Sequence, residues 1–144
     1  MCAALEEPGR GRDLWIHHDD LILLGHVAPS PAGPPDGFPG HLLLVPNRHV
    51  ESPGAVTEPE AERIGRWLAL GSRLLETVRG AEHVYVMRLG DGWPHLHYHL
   101  VPRYPGTPRD YRGLEVRDWP GIPRCGWDEI AAMAAELRKA AAAG

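Results

Sequence analysis

The stretch PHLHYHLVPR, residues 94–103, has a histidine at every second position: His95, His97 and His99. Because successive side chains of a β-strand point to opposite faces, this alternation predicts a strand with three imidazoles on one face. The intervening positions carry side chains that can pack beneath helices: Leu96, Tyr98 and Leu100. Neighbouring side chains on one face stand roughly 7 Å apart, so we expect the histidines to line a surface and act on one small ligand.

Three imidazoles in a row can serve several kinds of chemistry. Imidazole titrates near neutral pH, so the row can supply a nucleophile, a proton donor and a hydrogen-bond donor to a phosphate. The same side chains can also ligate a metal ion. The plain alternative is a solvent-exposed strand that happens to be rich in histidine, and the strict alternation between Pro94 and Pro102 argues against it.

The sequence around this stretch predicts further strands and two helices. Apolar and β-branched runs predict a hairpin, a strand buried on both faces and a strand that pairs with the histidine strand, at residues 14–17 with 21–24, 42–45 and 82–89. Thr57 and Glu60 have the spacing of a capping box before a helix that Gly80 can end. An alanine-rich helix is predicted at 127–143. This order predicts an α+β fold, a mainly antiparallel sheet packed with two helices.

Composition limits the number of domains and the kinds of partner. A chain of 144 residues suits a single domain over 1–144, with a core at about 14–104 and a C-terminal loop and helix at 105–144. The formal net charge of −4 argues against binding of a nucleic acid polymer. No apolar run approaches the roughly 18 residues that span a membrane, and no signal peptide is recognisable, so we expect a cytoplasmic protein without a membrane partner. Cys2 and Cys125 are expected to be free thiols.

Two motifs in this chain resemble those of the histidine triad (HIT) family. HLHYHLV, at 95–101, fits the pattern His-φ-His-φ-His-φ-φ, in which φ is apolar. GHLLLVPNRHV, at 40–50, resembles the family's Gly-His-φ-φ-φ-φ-Pro-x-x-His segment, which precedes the triad with a helix between them. The resemblance runs from about residue 14 to about residue 104. The following PRYPGTPRDYRG is similar to the tail of a bacterial branch of the family, whose members are described as dinucleoside polyphosphate hydrolases.

The resemblance implies a nucleotide hydrolase or nucleotidyl transferase that acts at an α-phosphate. His97 would attack phosphorus to give a covalent nucleotidyl-histidine, and water would then release a nucleoside monophosphate. His99 would hydrogen-bond the phosphate and assist the leaving group, while His95 and His41 would complete the cluster. A backbone carbonyl would hold the other ring nitrogen of the nucleophile and fix its tautomer. Substrates would be dinucleoside polyphosphates, phosphoramidates or related conjugates, with no cofactor or metal, and the protein would form a homodimer.

The segment before the triad departs from the family pattern. Members usually carry Gly-Gln-Ser or Gly-Gln-Thr there to bind phosphates, whereas residues 88–94 read RLGDGWP. Arg88 can bind phosphate oxygens bidentately, although a surface arginine at a strand end is an equal interpretation. Trp93 can stack on a purine, and with Arg88 it completes the predicted substrate-binding set, which also includes Asp91 and Gly92. Asp36 is a candidate for the ribose-binding acid and, equally, a turn former.

Two further functions compete with the hydrolase. One is a nucleotide-binding regulatory protein that keeps the triad but has lost efficient turnover. The other is a zinc site formed by the strand histidines. Some bacterial relatives hold structural zinc through Cys-x-x-Cys, a histidine at the position of His49 and the first triad histidine. This chain lacks the second cysteine, so we expect no structural zinc, although Cys2, His49 and His95 can form a remnant of that site.

Four other histidines lie near predicted turns or at a strand start. They are His17, His18, His26 and His83. We expect all four to be exposed to solvent.

Overall fold

A computed structural model of the chain describes residues 11–30 and 33–144. The strands are β1 (Trp15–His18), β2 (Ile22–His26), β3 (Leu42–Pro46), β4 (His83–Met87) and β5 (Tyr98–Arg103), and the long helices are α1 (Glu58–Thr77) and α2 (Trp127–Ala143). The five strands form one sheet in the order β1-β2-β3-β5-β4, and every neighbouring pair is antiparallel. The predicted α+β fold is therefore confirmed.

Both long helices pack on one face of the sheet. Leu24, Leu44 and Leu100 point toward them and are fully buried, together with Leu75 of α1 and Leu137 of α2. This face holds the main core because apolar residues recur at helical intervals in both helices. The central strand β3 is buried on both faces, as its continuous apolar run predicts.

The opposite face of the sheet has a smaller apolar cluster. Leu23, Leu43 and Val45 form its buried part, and Trp15, Val27 and Trp93 pack at its edge. Among the described residues, no long helix covers this face, so the side chains that alternate with the core residues lie next to the loops. The candidate site forms on this face.

Helix α1 begins and ends as its sequence predicts. The Thr57 hydroxyl accepts a hydrogen bond from the Glu60 N–H, and the Glu60 carboxylate accepts one from the Thr57 N–H at 2.7 Å. Glu60 also accepts two bonds from Arg48, at 2.7 and 2.9 Å, and these bonds are the main reason that its pKa falls to about 2. Gly80, with φ of 72°, takes the chain out of the helix.

The histidine strand begins later than its alternation predicts. β5 starts at Tyr98, and its pairing with β4 extends only to Met87 opposite His99. Pro94 has no N–H, and the Leu96 N–H bonds to the Val50 carbonyl at 2.6 Å, outside the sheet. The prediction that residues 95–97 belong to the strand is therefore wrong, because these residues bridge to the loop after β3.

Across residues 11–30 and 33–144, no helix combines the length and apolarity that a membrane crossing requires.

Candidate active site

His41 and His99 meet on the face of the sheet opposite the helices. His99 lies in β5 opposite Leu43, and His41 immediately precedes β3. His41 Nε2 lies 2.9 Å from His99 Nδ1. One of these nitrogens donates a proton to the other, so the two rings form a hydrogen-bonded pair although they are 58 residues apart.

His97 is held by a backbone carbonyl. Its Nδ1 donates to the His95 carbonyl oxygen at 2.7 Å. A carbonyl can only accept, so Nδ1 carries the proton and Nε2 keeps its lone pair. The hydrogen bond expected for this residue is therefore present. The ring is only 6% exposed, and its centroid lies 5.0 Å from that of His99.

His95 has a different position from the other two triad histidines. It is 4% exposed, and its Nε2 donates to the Pro46 carbonyl at the end of β3 at 2.9 Å. Its ring centroid is 5.0 Å from that of His49. The prediction that all three histidines line an open surface is thus wrong for His95 and His97, because the bridging segment 95–97 is buried.

Burial keeps the paired histidines neutral. Burial is also the first cause that lowers the pKa of His99 to about 4, followed by the neighbouring His97 and the charge of Arg117. The pKa of His41 lies well below its ordinary value, first through burial, then through His99 and Arg117. Both rings are therefore uncharged at neutral pH and can exchange hydrogen bonds without repelling each other.

His26 is buried, contrary to the expectation of solvent exposure. It has no exposed surface, and its Nδ1 donates to the Val27 carbonyl at 2.7 Å. Its Nε2 accepts the Gly40 N–H at 2.9 Å, which fixes the turn directly before His41. Burial lowers its pKa to about 4. Proximity to a turn in sequence misled the prediction, because both ring nitrogens find backbone partners inside.

The remaining histidines divide between the two outcomes. His18 and His83 are exposed as expected. His17 is half-buried, because its ring stacks on Trp67 with centroids 3.9 Å apart and its Nε2 bonds to Asp19 at 2.8 Å. The prediction of exposure is wrong for this residue.

Of the four predicted substrate-binding residues, the structure brings Trp93 to the histidines. Its half-buried ring lies 4.6 Å from that of His97 and 5.7 Å from that of His95. Arg88 is exposed, and its guanidinium donates to the Glu51 carbonyl at 2.5 Å. Asp91 and Gly92 are exposed in the turn between β4 and the triad segment.

A pocket of about 380 Å³ opens beside His41. Its walls come from the loop before β3 and from the segment before α2, and they include Val27, Asp36, Phe38, Arg117 and Arg124. Asp36 also accepts the Ser30 N–H at 2.6 Å, so it both shapes the loop and faces the pocket. Sequence reasoning missed the two arginines, because their segment has no recognisable motif. The only signal was the number of arginines between β5 and α2.

The described residues provide no obvious metal site. Among residues 11–30 and 33–144, no three His, Cys, Asp or Glu side chains are grouped closely enough to hold a metal ion. His49 and His95 do meet, but Cys2, the third member of the suggested remnant site, lies outside the described residues.

Comparisons with known proteins find solved structures with a similar fold. No family model matches the chain, and no curated protein matches it. A histidine triad protein from Bradyrhizobium japonicum superposes with a TM-score of 0.66 at 20% identity, over 94% of this chain and 97% of that one. One from Sinorhizobium meliloti gives 0.66 at 22% identity, over 89% and 90%.

A diadenosine triphosphate hydrolase from Plasmodium falciparum also superposes, with a TM-score of 0.62 at 12% identity, over 90% of this chain and 76% of that chain. The three matches cover nearly all of this chain and share its arrangement of sheet and helices. The chain therefore has the fold of the histidine triad proteins.

Proposed function

We propose that this protein is a histidine triad enzyme that cleaves a small nucleotide at its α-phosphate through a covalent nucleotidyl-histidine. The observation that carries the proposal is the hydrogen bond from His97 Nδ1 to the His95 carbonyl, 2.7 Å long. It directs the lone pair of Nε2 away from the backbone, in the tautomer that a nucleophile requires. The superposition on a diadenosine triphosphate hydrolase supports the same class of substrate.

The first step forms a bond between His97 Nε2 and the α-phosphorus while the bond from phosphorus to the leaving group breaks. The leaving group departs with its electron pair. The modified imidazole then carries a positive charge, which the His95 carbonyl stabilises through the Nδ1–H bond. His99, held by His41 at 2.9 Å, hydrogen-bonds the phosphate and assists the departure.

The second step releases the product. Water attacks phosphorus, the phosphorus–nitrogen bond breaks with its electrons returning to His97 Nε2, and the proton of the water passes to solvent. The product is a nucleoside monophosphate. This chemistry uses only imidazoles and backbone groups, so it needs no metal ion or cofactor.

Substrate binding is assigned to the loop before the triad. In this proposal Trp93 offers a stacking surface beside His97, with centroids 4.6 Å apart. Asp91 and Gly92 form the exposed turn that borders the bound phosphates, and Arg88 contacts the phosphates after leaving the Glu51 carbonyl. The protein acts on a free nucleotide as a homodimer, for which the edge strand β4 offers a pairing surface with Val86 46% exposed.

One observation favours a second candidate, a nucleotide-binding regulatory protein with little turnover. The Arg88 guanidinium donates to the Glu51 carbonyl, and the loop has no glutamine or serine to bind phosphates. Such a protein would bind nucleotides at the triad but release products slowly.

The test is hydrolysis of adenosine phosphoramidate and of dinucleoside polyphosphates in buffer with a metal chelator. The wild type should release a nucleoside monophosphate, and His97→Ala should lower the rate by about 1,000-fold or more. His83→Ala is the matched control, because His83 is exposed on β4 and its ring packs edge-on against the Tyr85 ring. Mass spectrometry of the quenched wild type should find the nucleotidyl adduct on His97.

The outcomes separate the candidates. Equal rates in His97→Ala and His83→Ala would refute the covalent mechanism. Tight nucleotide binding with an adduct but no sustained release would support the regulatory protein. Activity that the chelator abolishes would support the zinc alternative.

A further inference from the structure

The pocket beside His41 is built by two chain segments that lie far apart in sequence. The loop before β3 supplies Asp36 and Phe38, and the segment between β5 and α2 supplies Arg117 and Arg124. Gly37 and Cys125 join these segments through two backbone hydrogen bonds, at 2.9 and 3.1 Å. The walls are therefore held at a fixed separation.

Arg117 has hydrogen-bonding capacity that the described part of the chain does not use. Its Nε is buried and has no hydrogen-bond partner, and within the described part of the chain its guanidinium forms no ion pair with a carboxylate. A buried guanidinium nitrogen without a partner is costly unless a ligand supplies an acceptor. Its charge also acts on the reaction centre, because it contributes to the low pKa of both His41 and His99.

Arg124 places a second cation in the same pocket. One of its terminal nitrogens donates to the Arg117 carbonyl, and its guanidinium lies 5.3 Å from the centroid of the Phe38 ring. These contacts fix the side chain but use only part of its five donors. Asp36 and Asp118 line the pocket too, but neither lies within ion-pair distance of an arginine of the pocket.

We propose that Arg117 and Arg124 bind a second anionic group of the substrate, a phosphate or a carboxylate, beyond the phosphate that reacts with His97. This inference rests on the proposed function and adds a requirement on the substrate: a charged group within reach of the pocket beside His41. Guanidinium groups suit this role because they bind oxyanions in a bidentate manner. The pocket then selects nucleotides that carry a second anionic group over nucleotides with a single phosphate.

Calorimetric titration of the full-length His97→Ala protein tests the proposal without turnover. Phosphate probes are adenosine monophosphate, adenosine diphosphate and adenosine 3′,5′-bisphosphate, which place the extra phosphate on different sides of the 5′-phosphate. Carboxylate probes are the adenosine 5′-phosphoramidates of aspartate and of asparagine. We expect at least one probe with a second anionic group to bind about tenfold more tightly than its counterpart without that group. The phosphate and carboxylate arms show which source the pocket prefers.

Adding Arg117→Gln should remove that gain, and Arg117→Lys should restore part of it. Arg124→Gln is a second variant in case Arg117→Gln does not fold, which circular dichroism will show. Arg112→Gln is the matched control, because Arg112 is an exposed arginine of the same segment outside the pocket. A gain below twofold for every pair of probes, or an equal gain in the Arg117 variant and the Arg112 control, would overturn the proposal.

Failure of the proposed function has a different signature. If no nucleotide binds, titration with inorganic pyrophosphate decides the matter alone. Pyrophosphate binding that Arg117→Gln abolishes would keep the anion site and reject the nucleotide enzyme, whereas no pyrophosphate binding would reject both.

Discussion

Gly40 is a position where a single added methyl group should damage the site. Its φ is 80°, a backbone conformation that residues other than glycine adopt only at a cost in free energy. An added Cβ would lie 2.8 Å from Tyr104 Oη, 3.0 Å from Pro102 Cγ and 3.1 Å from a methyl group of Leu75. The residue directly precedes His41, so any shift of the backbone displaces the His41–His99 pair.

The magnitude for Gly40→Ala follows from these contacts. The positive φ costs about 1–2 kcal/mol in an alanine, and overpacking against three neighbours costs about 1–3 kcal/mol. Alanine also restricts the unfolded chain, which offsets about 0.4–1 kcal/mol of this loss. We therefore expect the free energy of unfolding to fall by about 3 kcal/mol, and turnover to fall with it.

Two other glycines separate the cost of the positive φ from the cost of overpacking. Gly80 has φ of 72° and nothing within 4 Å of an added Cβ, so Gly80→Ala should show the conformational cost alone, about 1 kcal/mol. Gly65 lies in α1 with no close neighbour and no positive φ, so Gly65→Ala should stabilise the protein by about 0.5–1 kcal/mol.

Urea unfolding followed by circular dichroism measures all three variants, and the m-value should stay constant. The reasoning would be refuted if Gly40→Ala and Gly80→Ala lost the same stability, because the packing contribution would then be absent. A stable Gly40→Ala protein with full activity would refute the link between this turn and His41.

Two further predictions concern stability. Thr57→Ala should cost about 1 kcal/mol by breaking the capping box, whereas Thr77→Ala, at the exposed end of α1, should cost less; thermal unfolding compares them, and equal losses would contradict the role of the cap. His26 has a pKa of about 4 in the folded protein, so below its ordinary 6.5 the unfolded chain takes the proton first and the free energy of unfolding falls as the pH drops toward 4. His26→Asn should have a lower free energy of unfolding at pH 7 than the wild type. Between pH 7 and pH 4, this free energy should fall less steeply with acidification than in the wild type, because the variant takes up about one proton fewer on unfolding. An unchanged slope in unfolding measured from pH 7 to pH 4 would contradict this account.

The sequence was most informative where one local pattern dictates one structure. The continuous apolar run at 42–45, stopped by Pro46, was typical of a buried strand, and Thr57 and Glu60 could be recognised as a cap because both partners lie within one turn of helix. The helix and strand order then determined the antiparallel sheet. The role of His97 as nucleophile stays a prediction, although the carbonyl contact that it needs is present.

The errors arose where tertiary contacts override the local pattern. Alternation at 95–99 suggested a strand throughout, but the Leu96 N–H bonds to Val50 in a distant loop, and the strand starts only at Tyr98. His26 resembled a solvated turn residue until Gly40, 14 positions later, was seen to donate to its ring. The role of Arg117 could not be predicted, because its proximity to His41 depends on the path of a long irregular segment.

The two backbone hydrogen bonds between Gly37 and Cys125 join the loop before β3 to the segment that carries the two arginines of the pocket. The histidines of the candidate site lie in the sheet or are held by backbone carbonyls near its strands. The two arginines lie in a segment that contributes no strand to the sheet. We expect sequence change in that segment to alter which molecules enter while the histidine rings keep their positions, although loss of Arg117 would remove one of the causes that lower the pKa of His41 and His99. Under the proposal that Arg117 and Arg124 bind part of the substrate, a protein designer who wished to change the preferred substrate would rebuild residues 113–126 and leave the triad as it stands.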